Sequence, residues 1–299
     1  MTVGQLRLPT LCIAACLLAT SAWAQTETTL QRISKKGSIV LAHRESAVPF
    51  SYLDADKKPI GYALDLCQKL AEAVRKKLTL KAIKVEYLMV APAERIPAIV
   101  EGRADMECGA TTNNAERREK VAFTIPHFIT GARFLIKSSS PMARMEDFSG
   151  RKVASTKGST PLQALERLNR ERGMGIQTVE VPDHAKGVEL VRAGEVDAFA
   201  MDDVQLYGLI AKDASPKDFK VVGQSITAEA LAIMLPKGDA EFKKVIDDEM
   251  KRLILSGEIY PIYDKWFNKP IPPNGKSLSM PVGYLLKDFW KYPSDFVPF

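Results

Sequence analysis

The sequence contains few of the residue groupings that metalloproteins, hydrolases and nucleic-acid-binding proteins require. It has three histidines in 299 residues, His43, His127 and His184, and their positions show no metal-ligand spacing. No dense run of Lys or Arg and no aromatic-basic RNA motif occurs. No Ser-His-Asp set and no cofactor-binding loop stands out either. We therefore expect no metal, no cofactor and no nucleic-acid partner.

Charge is nearly missing from residues 1–24, where Arg7 is the only charged side chain. An apolar run at Leu11–Ala19 and a small-residue cleavage site at Ala22–Ala24 complete the pattern of a secretory signal peptide. The run is shorter than the roughly 20 residues that a membrane-spanning helix needs. A lipoprotein cleavage site at Cys16 would leave too short an apolar core before it. We predict a cleavable signal and a periplasmic location.

Cysteine is also scarce, with four residues in the chain. Cys12 and Cys16 lie in the predicted signal peptide, so the mature protein keeps Cys67 and Cys108. Export to an oxidising compartment permits a disulfide between these two residues. We expect instead that both are buried thiols.

The rest of the composition is that of a soluble globular protein, with 46% hydrophobic and 26% charged residues. A length of 299 residues is enough for two lobes. Without Arg7 the chain has 41 basic and 36 acidic residues, a formal charge of +5. This mild excess suits acidic small solutes, anionic surfaces or nucleic acid about equally, so charge alone does not identify a partner.

The most informative stretch is Ala104–Lys120, which predicts the end of a buried strand, a polar turn and a helix. The first turn of that helix carries Arg117 and Arg118. A cation at a helix start opposes the positive end of the macrodipole, so an arginine there favours an anion brought to meet it. The alternative is an ordinary Asn or Thr cap followed by solvated arginines.

Two further arginines follow predicted strands. Arg44 comes directly after the apolar run Ser38–His43, and Arg95 lies at the junction between a strand and a helix. Open α/β sheets bind ligands at the carboxyl ends of their strands, so both are candidates for the same site as Arg117. Arg44 is otherwise a surface loop charge. Phe50 would be either an apolar wall of this site or a core residue.

The second half of the chain supplies other polar groups at strand ends. Gly158 permits a tight turn before Thr160 and a first-turn proline, which leaves free amides for an anion or makes a purely structural cap. His184 precedes a predicted helix. Asp202 and Asp203 follow a buried strand, where one could bind an ammonium group and the other could cap a helix.

Three segments resemble one family. His43–Tyr52, Cys108–Arg117 and Met201–Asp203 look like the glutamate/aspartate-binding component of an ABC importer, within the bacterial solute-binding proteins that close about a hinge. The resemblance extends from about residue 30 to residue 273. It implies an α/β protein of the type II periplasmic-binding fold, in which two lobes, each a mixed sheet flanked by helices, enclose a ligand in a cleft. It also implies a monomer that delivers its ligand to an inner-membrane permease.

With this fold, the chain divides as follows: a signal peptide at 1–24, the first part of lobe one at 25–137, lobe two at 138–226, the return to lobe one at 227–273, and a tail at 274–299. The crossings near Ser138 and Ile226 would then form the hinge. The tail has an apolar stripe that either docks on the outside of the protein or waits for a partner: Leu285, Leu286, Phe289 and Trp290.

The resemblance places eight residues at the ligand: Arg44, Arg95, Ala110, Thr112, Arg117, Thr160, His184 and Asp202. It assigns the α-carboxylate of the ligand to Arg117 with Thr112 and Thr160. It assigns the α-ammonium group to Asp202.

The side-chain carboxylate of the ligand would be held by Arg44 and Arg95, helped by His184. Guanidinium groups match carboxylates bidentately and keep their charge, which suits a site that closes and dries. The sequence departs from the family pattern at Pro92 and Ala110, where serines are expected. Each departure removes a hydroxyl, and together they weaken the expectation that the ligand is glutamate or aspartate.

We expect a binding protein and not an enzyme, and three alternatives stay open. The same fold hosts periplasmic dehydratases that act on cyclic carboxylic acids, and Glu107, His184 and Asp202 could serve there as acids or bases. A protein that reports a solute to a membrane receptor would also have the same binding lobes. A binding protein for a different carboxylate is a third possibility.

Overall fold

A computed structural model describes residues 1–2 and 27–297 of the chain, so the predicted signal peptide lies almost wholly outside the described residues. The helices are α1 Thr29–Lys36, α2 Tyr62–Lys77, α3 Arg95–Val100, α4 Ala115–Arg118, α5 Thr160–Arg172, α6 His184–Ala193, α7 Asp203–Lys212, α8 Ala240–Leu255, α9 Ile259–Phe267 and α10 Tyr284–Phe289. The strands are β1 Ser38–His43, β2 Ser46–Ala47, β3 Ser51–Leu53, β4 Pro59–Ile60, β5 Lys84–Met89, β6 Met106–Thr112, β7 Val121–Phe123, β8 Phe128–Thr130, β9 Ala132–Lys137, β10 Lys152–Thr156, β11 Gln177–Val181, β12 Ala198–Asp202, β13 Phe219–Val222 and β14 Glu229–Pro236.

Two mixed sheets form the centres of two lobes. The first has the order β5-β1-β6-β14-β7, with β8 also paired to β14, and the second has the order β11-β10-β12-β9-β13. In the first sheet β1 runs parallel to β5 and β6, while β14 is antiparallel to β6. In the second sheet β10 runs parallel to β11 and β12, while β9 is antiparallel to β12. A small third sheet joins β2, β3 and β4.

Helices cover both faces of the second sheet, and β12 shows why its sequence is apolar throughout. Ala198 and Ala200 pack into the core beside α5, whereas Phe199 and Met201 pack into the core beside α6 and α7. Successive side chains of a strand point to opposite faces, so a strand covered on both faces needs a continuous apolar run. The prediction of a buried strand at this point is therefore confirmed.

The first crossing between the lobes lies at Gly131, and the predicted crossing at residue 138 is wrong by one strand. β8 pairs with β14 in the first sheet, but β9 pairs with β12 and β13 in the second. A Cβ at Gly131 would lie 1.9 Å from the Ser225 hydroxyl oxygen, so the return segment leaves room for glycine alone. The two crossings also bond to each other, since Ile226 N donates to Ala132 O at 2.9 Å.

The expectation of two free thiols is also wrong. Cys67 and Cys108 form a disulfide, with 6.2 Å between their Cα atoms. The reason is the packing of α2, which carries Cys67 on its buried face, directly against β6, which carries Cys108.

Phe50 belongs to the core of the first lobe and not to a wall of the cleft. Its side chain is fully buried, and its ring contacts those of Phe128 and Phe267 edge to face, with centroids 5.2 and 5.7 Å away.

The tail docks on the first lobe through part of its stripe. Leu286 and Trp290 are buried in the core of that lobe, and Trp290 Nε1 donates to Pro126 O at 3.1 Å. Leu285 stays exposed. None of the helices in the described ranges is long and apolar enough to span a membrane.

Candidate functional site

A small cavity lies between the two lobes. It is lined by Arg44, Pro92, Arg95, Ala110, Thr112, Arg117, Ser159, Thr160, His184, Met201 and Asp202. The structure thus brings together the eight residues that were predicted at the ligand. It also places both positions of departure from the family pattern, Pro92 and Ala110, on the cavity wall.

Three neighbouring parallel strands deliver the arginines. Arg44 follows β1, Arg95 begins α3 after β5, and Arg117 lies in α4 after β6. Because the carboxyl ends of parallel strands meet at one edge of a sheet, the three guanidinium groups converge. They are 1%, 5% and 7% exposed. Three positive charges are therefore collected in a site that water scarcely reaches.

The helix that follows β6 satisfies both interpretations of its sequence. Asn114 caps α4, with its side-chain oxygen accepting from Arg117 N at 2.9 Å. Arg117 turns inward to the cavity, whereas Arg118 is exposed and donates to the Asn113 side chain at 2.7 Å. Only one of the two predicted arginines therefore belongs to the site.

The arginines are held by protein acceptors. Arg95 donates from Nε to Pro92 O at 2.8 Å and from Nη1 to the Thr111 hydroxyl at 2.6 Å. Arg117 Nη1 donates to Thr112 O at 3.0 Å. These bonds fix the direction of each guanidinium group before a ligand binds. Less side-chain conformational entropy is then lost on binding than for a flexible cationic side chain.

Burial makes these charges less favourable without removing them. Burial, with a contribution from Arg95, lowers the pKa of both Arg44 and Arg117 to about 10. Burial also lowers the pKa of Arg95. A guanidinium with a pKa near 10 is still protonated at neutral pH, so the site presents full positive charges.

Buried carboxylates accompany the arginines, and two of them were not assigned to the binding site from the sequence. Glu107 is fully buried, and its Oε2 accepts from the Thr111 hydroxyl at 2.7 Å. A Cβ at Gly109 would lie 2.2 Å from Glu107 Oε1, so the glycine makes room for this carboxylate. Glu229, at the start of β14, accepts hydrogen bonds from Thr112 and Thr160.

Asp202 ends β12 and is 1% exposed. Its Oδ2 accepts from Gln205 Nε2 at 2.8 Å, and its Oδ1 has no hydrogen-bond partner among the described residues. Burial and the nearby Glu229 raise its pKa well above the usual value for aspartate. Asp203 turns away and accepts from the Thr130 hydroxyl at 2.7 Å, and Asp202 makes no side-chain cap bond to α7. The free carboxylate oxygen of Asp202 is thus suited to a cationic partner.

His184 begins α6 and is almost fully buried, with Nδ1 at 2.8 Å from the Thr156 hydroxyl. Burial, with the nearby Arg44, lowers the pKa of His184 to about 3. The imidazole is therefore neutral at physiological pH. It can hydrogen-bond a ligand but adds no positive charge to the arginines.

Direct contacts close the two lobes over the cavity. Gly158 O, in the second lobe, accepts from Arg95 Nη2 and from Arg117 Nη2, both at 3.2 Å. Arg44 forms an ion pair with Asp183 at 3.2 Å. Gly158 has a φ of +75° and lies against Ala93 of the first lobe, where a Cβ would be 3.0 Å from Ala93 Cα.

The two hydroxyl residues that follow Gly158, Ser159 and Thr160, have different roles. Ser159 is the N-cap of α5, and its side chain accepts from Leu162 N at 3.3 Å. Thr160 is thereby left to face the cleft, where its oxygen lies 3.0 Å from that of Thr112. Of the two roles that the sequence allows for this turn, the structural cap is therefore present and is provided by Ser159.

Residues 39–269 match the model of the family described as bacterial extracellular solute-binding proteins, family 3. The chain belongs to this family. Its predicted assignment to the solute-binding proteins is confirmed.

Two curated proteins are similar to this solute-binding protein along most of its length. The L-glutamate/L-aspartate-binding protein of Pseudomonas aeruginosa is 40% identical over 296 residues, which cover 99% of this chain and 98% of that protein. The glutamate/aspartate import solute-binding protein of Salmonella typhimurium is 39% identical over 267 residues, covering 89% of this chain and 88% of that protein. These names describe binding proteins and not enzymes, so the expectation of a non-enzyme is confirmed.

Among solved structures, the P235GK mutant of ArgBP from T. maritima superimposes with a TM-score of 0.72 at 21% identity, covering 80% of this chain and 99% of that chain. At this identity the likeness concerns the fold alone. It confirms the prediction of a two-lobed, type II solute-binding fold.

The two departures from the family pattern keep a role in this solute-binding protein through their backbones. Pro92 O accepts from Arg95 Nε at 2.8 Å, and Ala110 O lies 3.4 Å from Arg95 Nη1. Neither residue has a hydroxyl to offer a ligand. Both therefore support Arg95, while the polar side chains that a ligand would meet come from other positions.

Proposed function

We propose that this solute-binding protein captures an acidic amino acid, L-glutamate or L-aspartate, in the closed cleft. The observation that carries the proposal is the convergence of three buried arginines with the buried carboxylate of Asp202 around one cavity. A ligand with two carboxylates and one ammonium group complements this set of charges. The names of the relatives from Pseudomonas aeruginosa and Salmonella typhimurium support the same ligand class.

In the proposed complex Arg117, with Thr112 and Thr160, binds the α-carboxylate of the ligand. Asp202 binds the α-ammonium group, because its Oδ1 is buried and has no other partner in the described chain.

The side-chain carboxylate of the ligand belongs to Arg44 and Arg95, with neutral His184 as a hydrogen-bonding neighbour. Ala110 contributes its backbone. Arg95 is already oriented by Pro92 and Thr111, so little conformational entropy is lost when it binds the ligand.

We propose that the mature protein acts as a monomer in the periplasm and delivers its ligand to an inner-membrane ABC permease. The contacts that join the lobes, such as the ion pair between Arg44 and Asp183, belong to a closed form. Closure about the crossings at Gly131 and Ile226 would give the permease a surface that differs between the empty and the loaded protein.

A different carboxylate is the second candidate ligand. It is favoured by Pro92 and Ala110, which line the cavity without a side-chain hydroxyl. Each missing hydrogen bond is worth roughly 0.5–1.5 kcal/mol, so two such losses can change the preferred ligand.

Calorimetric titration of ligand-stripped mature protein tests the proposal. L-glutamate and L-aspartate are compared with glutamine and with dicarboxylates that lack an amine. We expect one-to-one binding of an acidic amino acid and a loss of at least about thirtyfold in Arg95→Ala, since truncating one partner of a buried charge pair costs about 2–5 kcal/mol.

Arg103→Ala is the matched control. Arg103 is a half-exposed arginine that pairs with Glu101 at 2.7 Å and does not line the cavity. It should bind like the unsubstituted protein. Binding of another acid, with no heat from glutamate or aspartate, would keep the solute-binding role and contradict the proposed ligand.

A further inference from the structure

Glu229 joins the two lobes at the cavity, although it does not line the cavity itself. Its Oε2 accepts from the hydroxyl of Thr112, in the first lobe, and from the hydroxyl of Thr160, in the second. The two hydroxyl oxygens are 3.0 Å apart. Three oxygens from three separate elements, β6, α5 and β14, thus form one hydrogen-bonded group.

The number of protons in this group limits what the threonines can do. A hydroxyl has one proton to donate and two lone pairs, whereas a carboxylate only accepts. With Glu229 ionised, both hydroxyl protons are used in bonds to its Oε2. The threonine oxygens then have only lone pairs left for a ligand in the cavity.

We infer that Glu229 is a positioning residue that turns the hydroxyls of Thr112 and Thr160 into acceptors toward the ligand, so that the site selects a protonated amine there. The inference rests on the proposed function and changes one of its assignments. The two hydroxyls would no longer donate to the α-carboxylate, and Arg117 would be the side-chain donor for that group.

A neighbouring acceptor points to the same ligand group. Asp202 lines the cavity, and its Oδ1 is buried and lacks a hydrogen-bond partner among the described residues. Burial and Glu229 raise the pKa of Asp202, so its ionised form gains from a cation. An ammonium group has three hydrogen-bond donors and a positive charge. A hydroxyl has one donor and no charge, and a methylene has no donor.

The test compares two ligands that differ at the amine. L-glutamate and glutarate are titrated into the mature protein and into Glu229→Gln, whose neutral amide holds the hydroxyl protons less firmly. We expect L-glutamate to lose about tenfold more affinity than glutarate, because hydrogen bonds to a charged group are worth more than neutral ones. Equal losses for both ligands would overturn the inference and leave Glu229 as a contact between the lobes.

Glu107→Gln is the matched control. Glu107 is an equally buried glutamate, but it bonds Thr111 on the side of Arg95 and not the two cleft threonines. It should weaken both ligands by similar factors. If the unsubstituted protein binds neither L-glutamate nor L-aspartate, the proposed function fails, and that result differs from equal losses in Glu229→Gln.

Two further measurements test the inference if Glu229→Gln does not fold or if glutarate binds too weakly to be titrated. Thr160→Val removes one acceptor oxygen, so it should lose L-glutamate preferentially, while Thr160→Ser should retain the preference. The ammonium resonance of bound ¹⁵N-labelled L-glutamate should shift in Glu229→Gln and stay in place in Glu107→Gln. An ammonium resonance that is the same in all three proteins would overturn the inference.

Discussion

The buried charges of the cleft are satisfied differently in two groups of residues. The arginine group consists of Arg44, Arg95 and Arg117 with Glu107. Each guanidinium already donates to a protein acceptor, such as Asp183 for Arg44, Pro92 O for Arg95 and Thr112 O for Arg117. Arg44 Nε and Glu107 Oε1 are the atoms of this group that lack a partner among the described residues. In the hydroxyl–carboxylate group, which consists of Thr112, Thr160, Asp202 and Glu229, acceptors exceed donors. The arginine group is oriented by the protein itself, whereas the hydroxyl–carboxylate group needs donors from a ligand.

The same physical cause has opposite effects on the two groups. Burial lowers the pKa of Arg44 and Arg117 to about 10 and raises the pKa of Asp202. The arginines keep their charge at neutral pH, but an ionised Asp202 without a cation is costly. We therefore expect substitutions in the hydroxyl–carboxylate group to separate binding from stability.

The largest effect is expected from Asp202→Asn. This change removes the charge that would pair with the ligand ammonium, so affinity for L-glutamate should fall by at least about thirtyfold. The ligand-free protein should melt about 2–4 °C higher for each kcal/mol of relieved desolvation. Calorimetric titration and thermal unfolding of the stripped protein measure the two changes. An unchanged or lower melting temperature of ligand-free Asp202→Asn would contradict the statement that the buried Asp202 carboxylate destabilises the empty protein.

The pH dependence of stability has a definite sign for the same residue. Because the pKa of Asp202 is raised in the folded state, the folded protein holds a proton that the unfolded chain has released. Its contribution is fully present below the usual aspartate value of 3.8 and is lost as the pH rises toward the raised pKa. Melts across that range should show a smaller decline with pH in Asp202→Asn than in the unsubstituted protein.

Much of the arginine group could be predicted from the sequence. Arg44 and Arg117 each follow a segment whose apolar residues predict a buried strand. Because ligands bind at the carboxyl ends of such strands, both arginines are then expected in one site. Asp202 follows from the same rule in the second lobe. The crossing at Gly131 was missed because 128–136 has the pattern of a single strand. Only the fold shows that β8 pairs with β14 in the first sheet while β9 pairs with β12 and β13 in the second.

Glu229 could not be assigned by these rules. It stands at the start of the apolar run of β14, where a charged residue normally marks the solvated end of a strand. Its burial depends on Thr112 and Thr160, which are 117 and 69 positions away. The disulfide was missed for a similar reason, because the pairing of Cys67 with Cys108 depends on the register of α2 over β6. The one available signal for Glu229 was its place just after the predicted return crossing.

A smaller effect is expected from Glu107→Gln, which tests whether the arginine group is oriented in advance. Glu107 acts on Arg95 through the Thr111 hydroxyl, at 2.7 and 2.6 Å for the two bonds. We expect affinity for L-glutamate to fall about tenfold, the size of a hydrogen bond to a charged group. In a double-mutant cycle with Thr111→Val the losses should not add, because both changes break the same chain of bonds. Fully additive losses would mean that Glu107 acts on the site independently of Thr111.

The smallest effect is expected from Asp183→Asn, which weakens closure without touching the hydroxyl–carboxylate group. Asp183 pairs with Arg44 across the cleft at 3.2 Å, and its side chain is 20% exposed. Since partly exposed ion pairs contribute up to about 1 kcal/mol, affinity should fall roughly two- to fivefold, and less at high salt. Asparagine can still cap α6, so the fold should not change.

Asp213→Asn is the control. Asp213 pairs with Arg192 within the second lobe, so this substitution should leave affinity unchanged. A loss in Asp183→Asn as large as that in Asp202→Asn would show that closure, and not the ligand ammonium, dominates the binding energy.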